Sequence, residues 1–202
     1  MKNVQIVGLP AALEWDVPPV AWTVGAPGAL TITAGAVTDL FNNPNGEPPK
    51  RDSARLMFAP EPGDFTLSAK VHVDFRSTFD AGVLLIWEDV GSWGKLCFEF
   101  SPQAEPMIVS VVTRGGLSDD GNAVVMPSYD AWLRIARVGT TFALHYAADG
   151  QWWHMVRYFA LAHPERVRIG LSSQSPTGQG CSATFSEVRY ERRTLTNLRD
   201  GS

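Results

Sequence analysis

The chain has 202 residues, 45% of them apolar and 19% charged, with a formal net charge of -4. That balance fits one globular domain with material for a real core, and it lacks the Lys/Arg excess of a nucleic-acid-gripping surface. No run approaches the ~20 apolar residues needed to cross a bilayer, so no membrane partner is expected.

The opening segment to Trp15 holds one lysine but no apolar stretch before Pro10, so it is read as lacking a cleaved signal. The elements that follow are short alternating runs closed by Gly, Pro, Asn and Asp, the pattern of a sandwich or barrel. In chain order the expected strands are 29–33, 55–58, 65–75, 80–88, 95–101, 107–113, 131–138, 141–147, 154–159, 166–173 and 183–191. Gly115 to Gly121 is read as a loop after the strand that ends at Arg114. Asp149-Gly150 is a hairpin signal, and 161–165 is read as a single helical turn. Glycines and prolines are scattered rather than gathered in a linker, so residues 1–202 are read as a single domain. Arg189, Arg192, Arg193 and Arg199 alternate with Glu191 and Asp200, which reads as a solvated terminus.

Period-two spacing then assigns faces. Phe142, Leu144 and Tyr146 share one face of their strand; Leu96, Phe98 and Phe100 share another, opposite Lys95, Cys97, Glu99 and Ser101. Val167, Ile169 and Leu171 oppose Arg168, Gly170, Ser172 and Gln174. Two sheets packing through the apolar faces would leave Glu99, His145 and Gln174 on a common polar surface. Cys97 and Cys181 have unrelated surroundings and make no zinc signature. They are read as buried thiols in a reducing cytoplasm, with a single bridge as the alternative.

The ordered segments TDLFNNP, FDAGVLLIWED, KLCFEFS, VSVVTRGGLSDDGNA, LRIARVGTTFALHYAADGQWW and GLSSQSPTGQGCSATF resemble the DUF1349 family, also described as regulation-of-enolase-protein-like. The likeness runs from about Leu13 to Tyr190. The family belongs to the concanavalin A-like lectin/glucanase superfamily, which implies an all-β, two-sheet antiparallel jelly-roll sandwich. Its activity is undefined. Sandwich modules of this kind accompany β-xylosidases, which suggests carbohydrate but no reaction.

Glycosidases of this superfamily carry an E-x-D-x-x-E-like run of acids on one strand. Here the strand reads Phe98-Glu99-Phe100-Ser101-Pro102, without the second acid, so Glu99 stands as a weak catalytic candidate and a better ligand contact. Adjacent Asp119 and Asp120 splay apart in extended chain, leaving Arg114 and Asp120 on a groove rim. His145, Arg157 and Gln174 complete a polar cluster suited to hydroxyls or a carboxylate. Trp93, flanked by Gly91, Ser92 and Gly94, is expected to be an exposed stacking platform. Asp39 and Asp80 are turn caps or, paired with Asp74, Glu88 or Asp89, Ca²⁺ ligands; no other cofactor is implied. No nucleophile elbow, zinc-protease or P-loop motif is present.

The leading expectation is a cytoplasmic module binding a carbohydrate or small polar ligand on a concave face, with a homodimer left open. A glycoside-processing enzyme using Glu99 with Asp119 or Asp120, and a protein-interaction module, are the alternatives.

Overall fold

The computed structural model describes residues 3–202; Met1 and Lys2, part of the segment read for a signal, lie outside the described residues. In chain order the strands are β1 (Glu14–Val17), β2 (Ala21–Val24), β3 (Leu30–Thr33), β4 (Leu40–Phe41), β5 (Lys50–Arg51), β6 (Ala54–Phe58), β7 (Phe65–Val73) and β8 (Ala81–Asp89). They continue as β9 (Ser92–Phe100), β10 (Pro106–Arg114), β11 (Leu117–Val125), β12 (Asp130–Val138), β13 (Thr141–Ala147), β14 (His154–Ala160), β15 (Arg168–Gln174) and β16 (Ser182–Glu191). One sheet has the order β1-β6-β15-β8-β9-β10-β11 and the other β14-β13-β12-β7-β16-β3-β2, with every pairing antiparallel. Stacked face to face they make a jelly-roll sandwich, and β4 and β5 form a separate two-stranded ribbon. No helix among the described residues is long and apolar enough to cross a membrane.

Alternation builds the core. Phe65, Leu67, Ala69, Val71 and Val73 of β7 are fully buried, with Thr66, Ser68, Lys70 and His72 directed the other way. They meet Leu84, Ile86, Leu96, Phe98, Ile169 and Leu171 of the opposite sheet in one cluster. Each such side chain contributes about 1.5–3 kcal/mol by leaving water, which far exceeds local strand propensity.

Three sequence readings change. The stretch read as a loop, Gly115 to Gly121, is mostly strand: only Gly115 and Gly116, at φ 59° and 83°, turn the chain, and Arg114 pairs with Leu117 as β11 begins. Such φ values suit Gly-Gly in a two-residue hairpin. The Asp149-Gly150 hairpin joins β13 to β14 through residues 148–153, a longer loop in which Asp149 Oδ1 accepts the Gln151 and Trp152 amides. The helical turn is a 3₁₀ turn at Pro164–Arg166, displaced because proline favours a helix start.

Gly82 lies where the two sheets approach closely. A Cβ there would stand 2.6 Å from Val71 Cγ1 and 3.1 Å from both Val73 Cγ2 and the Ala183 Cβ. Gly82→Val should therefore lower stability by about 1–3 kcal/mol in urea denaturation, through overpacking.

Candidate functional site

A strap crosses the outer face of the first sheet. Thr38 bridges to Ser175, just beyond β15, and the Ser175 amide donates to Thr38 O at 3.1 Å. Four residues later, Asn42 reaches β11. Its amide donates to Ser118 Oγ at 3.0 Å, its carbonyl accepts from the Ser118 amide at 2.9 Å, and its Nδ2 donates to Val90 O. Between these anchors the strap lays Leu40 into a cluster with Met57, Leu85, Trp87, Trp93 and Val111, with Phe41 packed against it.

Beneath the strap, the outward side chains of β9 are Trp93, Lys95, Cys97 and Glu99, all buried. Lys95 is 3% exposed. Its Nζ donates to Gln174 Oε1 at 3.1 Å and lies 3.5 Å from Asp39 Oδ1 on the strap. Register explains why space remains beside it. Gln174, Ala81 and Glu99 form one cross-strand row, and Val83 and Cys97 lie in the next, so small side chains separate the polar ones. A third row runs from Lys95 through Val111 to Asp120 at the exposed edge.

The resulting cavity of about 120 Å³ has Lys95, Glu99, Asp120 and Gln174 on its floor and Phe41, Phe79 and Pro176 as walls. It opens over the strap into a further hollow of about 200 Å³ that shares Asp39, Phe41 and Phe79 and reaches Glu47 and Lys50. Phe79 is held at the mouth in a left-handed conformation, φ 71°, costly for an aromatic residue. Asp80 stabilises that corner: Oδ2 accepts the Arg76 and Ser77 amides at 2.9 Å each, and Oδ1 accepts the Ser175 hydroxyl at 2.6 Å.

The charges interact strongly. Burial pushes the Glu99 carboxyl up to about 8; the attraction of Lys95 opposes this, and Asp120 and Asp39 reinforce it. Asp120 is also raised, first by desolvation, against the pull of Lys95. For Lys95, burial favours loss of the proton, but Asp39 and the other nearby acidic groups together hold it above its ordinary value. At neutral pH the floor thus offers one ammonium and one carboxylic acid able to donate. No described residue donates a hydrogen bond to the Glu99 carboxyl.

Glu99, Asp120 and Gln174 are therefore brought together, and the remaining expected members are not. Trp93 is fully buried in the cluster with Leu40 and is no stacking platform; beside it, a Cβ on Gly94 would stand 2.7 Å from Phe159 Cζ. His145 lies on the outer face of the other sheet, where its Nε2–H donates to Leu198 O at 2.6 Å. Burial pushes its pKa down to about 4, so it is neutral. Arg157 of β14 pairs at 2.7 Å with Asp119, which is on the parity opposite Asp120 and so turns away from the floor. Arg114 is exposed at the end of β10, on the parity opposite the floor. Asp39, Phe41, Phe79 and Lys95 were absent from the expected site. Only Lys95 left a signal, a lysine at the centre of a largely apolar strand.

Among the described residues, no group of three or more His, Cys, Asp or Glu is arranged to hold a metal ion. Cys97 and Cys181 are both buried free thiols, so the single-bridge alternative falls.

The fold and groove define a two-sheet antiparallel β-sandwich with a strapped sheet face. The chain belongs to the family described as "Protein of unknown function (DUF1349)", whose model matches residues 15–193. None of the curated proteins compared matches it. Among solved structures, a functionally unknown protein from Saccharomyces cerevisiae is similar with TM-score 0.82 and 23% identity, over 90% of this chain and 97% of that one. A mutant of the GH43 protein BlXynB from Bacillus licheniformis has TM-score 0.73 and 13% identity, over 94% of this chain and 37% of that one. A xylan beta-1,4-xylosidase from Bacillus halodurans gives TM-score 0.68 and 15% identity, over 84% of this chain and 34% of its own. The chain thus spans only about a third of those two enzymes' length, and at these identities the likeness establishes the fold alone.

The raised Glu99 pKa has a stability consequence. The unfolded state ionises near the ordinary glutamate value while the folded state keeps its proton, so stability falls as pH rises from about 4.5 to about 8. Glu99→Gln removes that slope. Its stability relative to wild type should rise steadily across this window in urea denaturation; a constant difference would contradict the assignment.

Proposed function

We propose that the strapped groove binds a sugar ring or similar polyhydroxylated ligand. One observation carries the reading: two phenylalanines, Phe41 and Phe79, face a cavity whose floor holds an ammonium, a carboxylic acid without a protein partner, an amide and a second acid. Aromatic faces suit the C–H side of a sugar ring. A few convergent polar groups in an otherwise apolar pocket fix orientation. The Phe79 backbone strain is the sort tolerated where an aromatic group must be aimed. The GH43 proteins, the xylosidase and an alginate lyase from Klebsiella pneumoniae among the structural relatives make carbohydrate the natural class to examine first.

A second reading, a glycoside-processing enzyme, is favoured by one specific feature. Glu99 is an acid kept protonated at neutral pH in a cavity that Asp120 also lines, as a general acid requires.

Calorimetry against xylose, xylobiose, glucose and glucuronate at neutral pH should give saturable binding. Phe79→Ala should weaken it about five- to tenfold without unfolding the protein, the magnitude of one stacking contact. Flat titrations across the set would overturn the binding reading. Hydrolysis of aryl glycosides lost in Glu99→Gln would replace it with the enzymatic one.

A further inference from the structure

The outer face of the second sheet holds a separate site that the groove does not use. Its residues lie in register across β12, β7 and β16: Arg134 beside Ser68 beside Arg189, and Ala136 beside Thr66 beside Glu191. Short side chains in the middle of these rows leave a hollow of about 390 Å³, flanked by Trp132 and by Arg193 from the segment after β16. A second hollow of about 620 Å³ adjoins it through Arg134, Trp153 and Arg193, and adds Arg199. A bulge in β16 between Ser186 and Arg189, with Glu187 at φ 50°, sets the register that puts Arg189 beside Ser68. Bulges that redirect one side chain recur beside binding sites.

Arg134 is the anomaly. It is only 4% exposed, yet no carboxylate among the described residues lies within ion-pair distance of it. One Nη donates to Gly201 O at 2.9 Å, the guanidinium stacks on Trp153 at 4.2 Å, and Nε has no partner. Burying a cation without a counter-charge is costly. Arg193 adds like charge: after burial itself, it is the main cause that pushes Arg134 down to about 10. Arg189 and Arg193 likewise form no ion pair among the described residues. Glu187 and Glu191 line the hollow at exposed positions; Glu191 attracts the guanidinium and opposes Arg193, but neither acid forms an ion pair with Arg134.

We propose that this hollow is an oxyanion site that takes a carboxylate or phosphate group carried on a small organic ligand. The oxyanion lies against Arg134, is clamped by Arg189 and Arg193, and accepts from the Thr66 and Ser68 hydroxyls. Arginine suits this task because its planar fork matches both oxyanions bidentately.

The test titrates wild-type protein with inorganic phosphate, glucose 6-phosphate, glucuronate and glucose, following the indole N–H resonances of Trp132 and Trp153. Saturable shifts from at least one anionic probe and none from glucose are expected. Selective response to glucuronate identifies a carboxylate ligand, and selective response to the phosphates a phosphoryl one. The Arg189→Gln/Arg193→Gln double variant, changed at exposed positions, should weaken binding at least tenfold, while Phe79→Ala leaves it unchanged. Absence of saturable shifts with every anion, or undiminished affinity in the double variant, would overturn the proposal.

Discussion

A lysine ammonium buried under a strap is the constraint on which the first face depends. Lys95 emerges from the centre of β9 onto a surface otherwise filled by Trp93, Leu85, Val111 and Cys97. Removing such a charge from water costs several kcal/mol unless it finds partners in place. Asp39 and Gln174 supply them, one from the strap and one from the end of β15. The strap therefore does more than cover apolar side chains: its position and the protonation of Lys95 require one another. Burial holds the proton on Glu99 to about 8, against the attraction of Lys95. The strap thus sets both the groove's shape and the burial on which its chemistry rests.

Much of the architecture was legible because burial writes itself into alternation. Leu96 and Phe98, Phe142 and Leu144, and Ile169 and Leu171 were assigned inward, and all lie in the core. Polar β11 left no such trace. It is an edge strand whose side chains are mostly exposed, so its first half, up to Gly121, reads as a loop. Strand β4 is two residues long, too short for any periodicity, yet it brings Leu40 and Phe41 over the sheet.

The site was less legible for a related reason. Alternation tells which way a side chain points relative to its own strand, not which sheet that strand joins. His145 and Glu99 both point outward, but from opposite sheets, so they never meet. Trp93, set among small residues, suggested exposure; the strap, brought from more than fifty residues earlier, buries it. Phe79 owes its place at the mouth to a left-handed backbone that nothing in its side chain announces.

The two outer faces therefore differ in kind. One carries an ammonium and acids between aromatic walls, and the other presents guanidinium groups over short hydroxyl side chains. A carbon-detected NMR titration of the Glu99 side-chain carboxyl tests the central claim most directly, because the groove's donor chemistry rests on that proton. A midpoint of about 8 is predicted. Titration in the ordinary glutamate range, near ~4.3, would contradict the account.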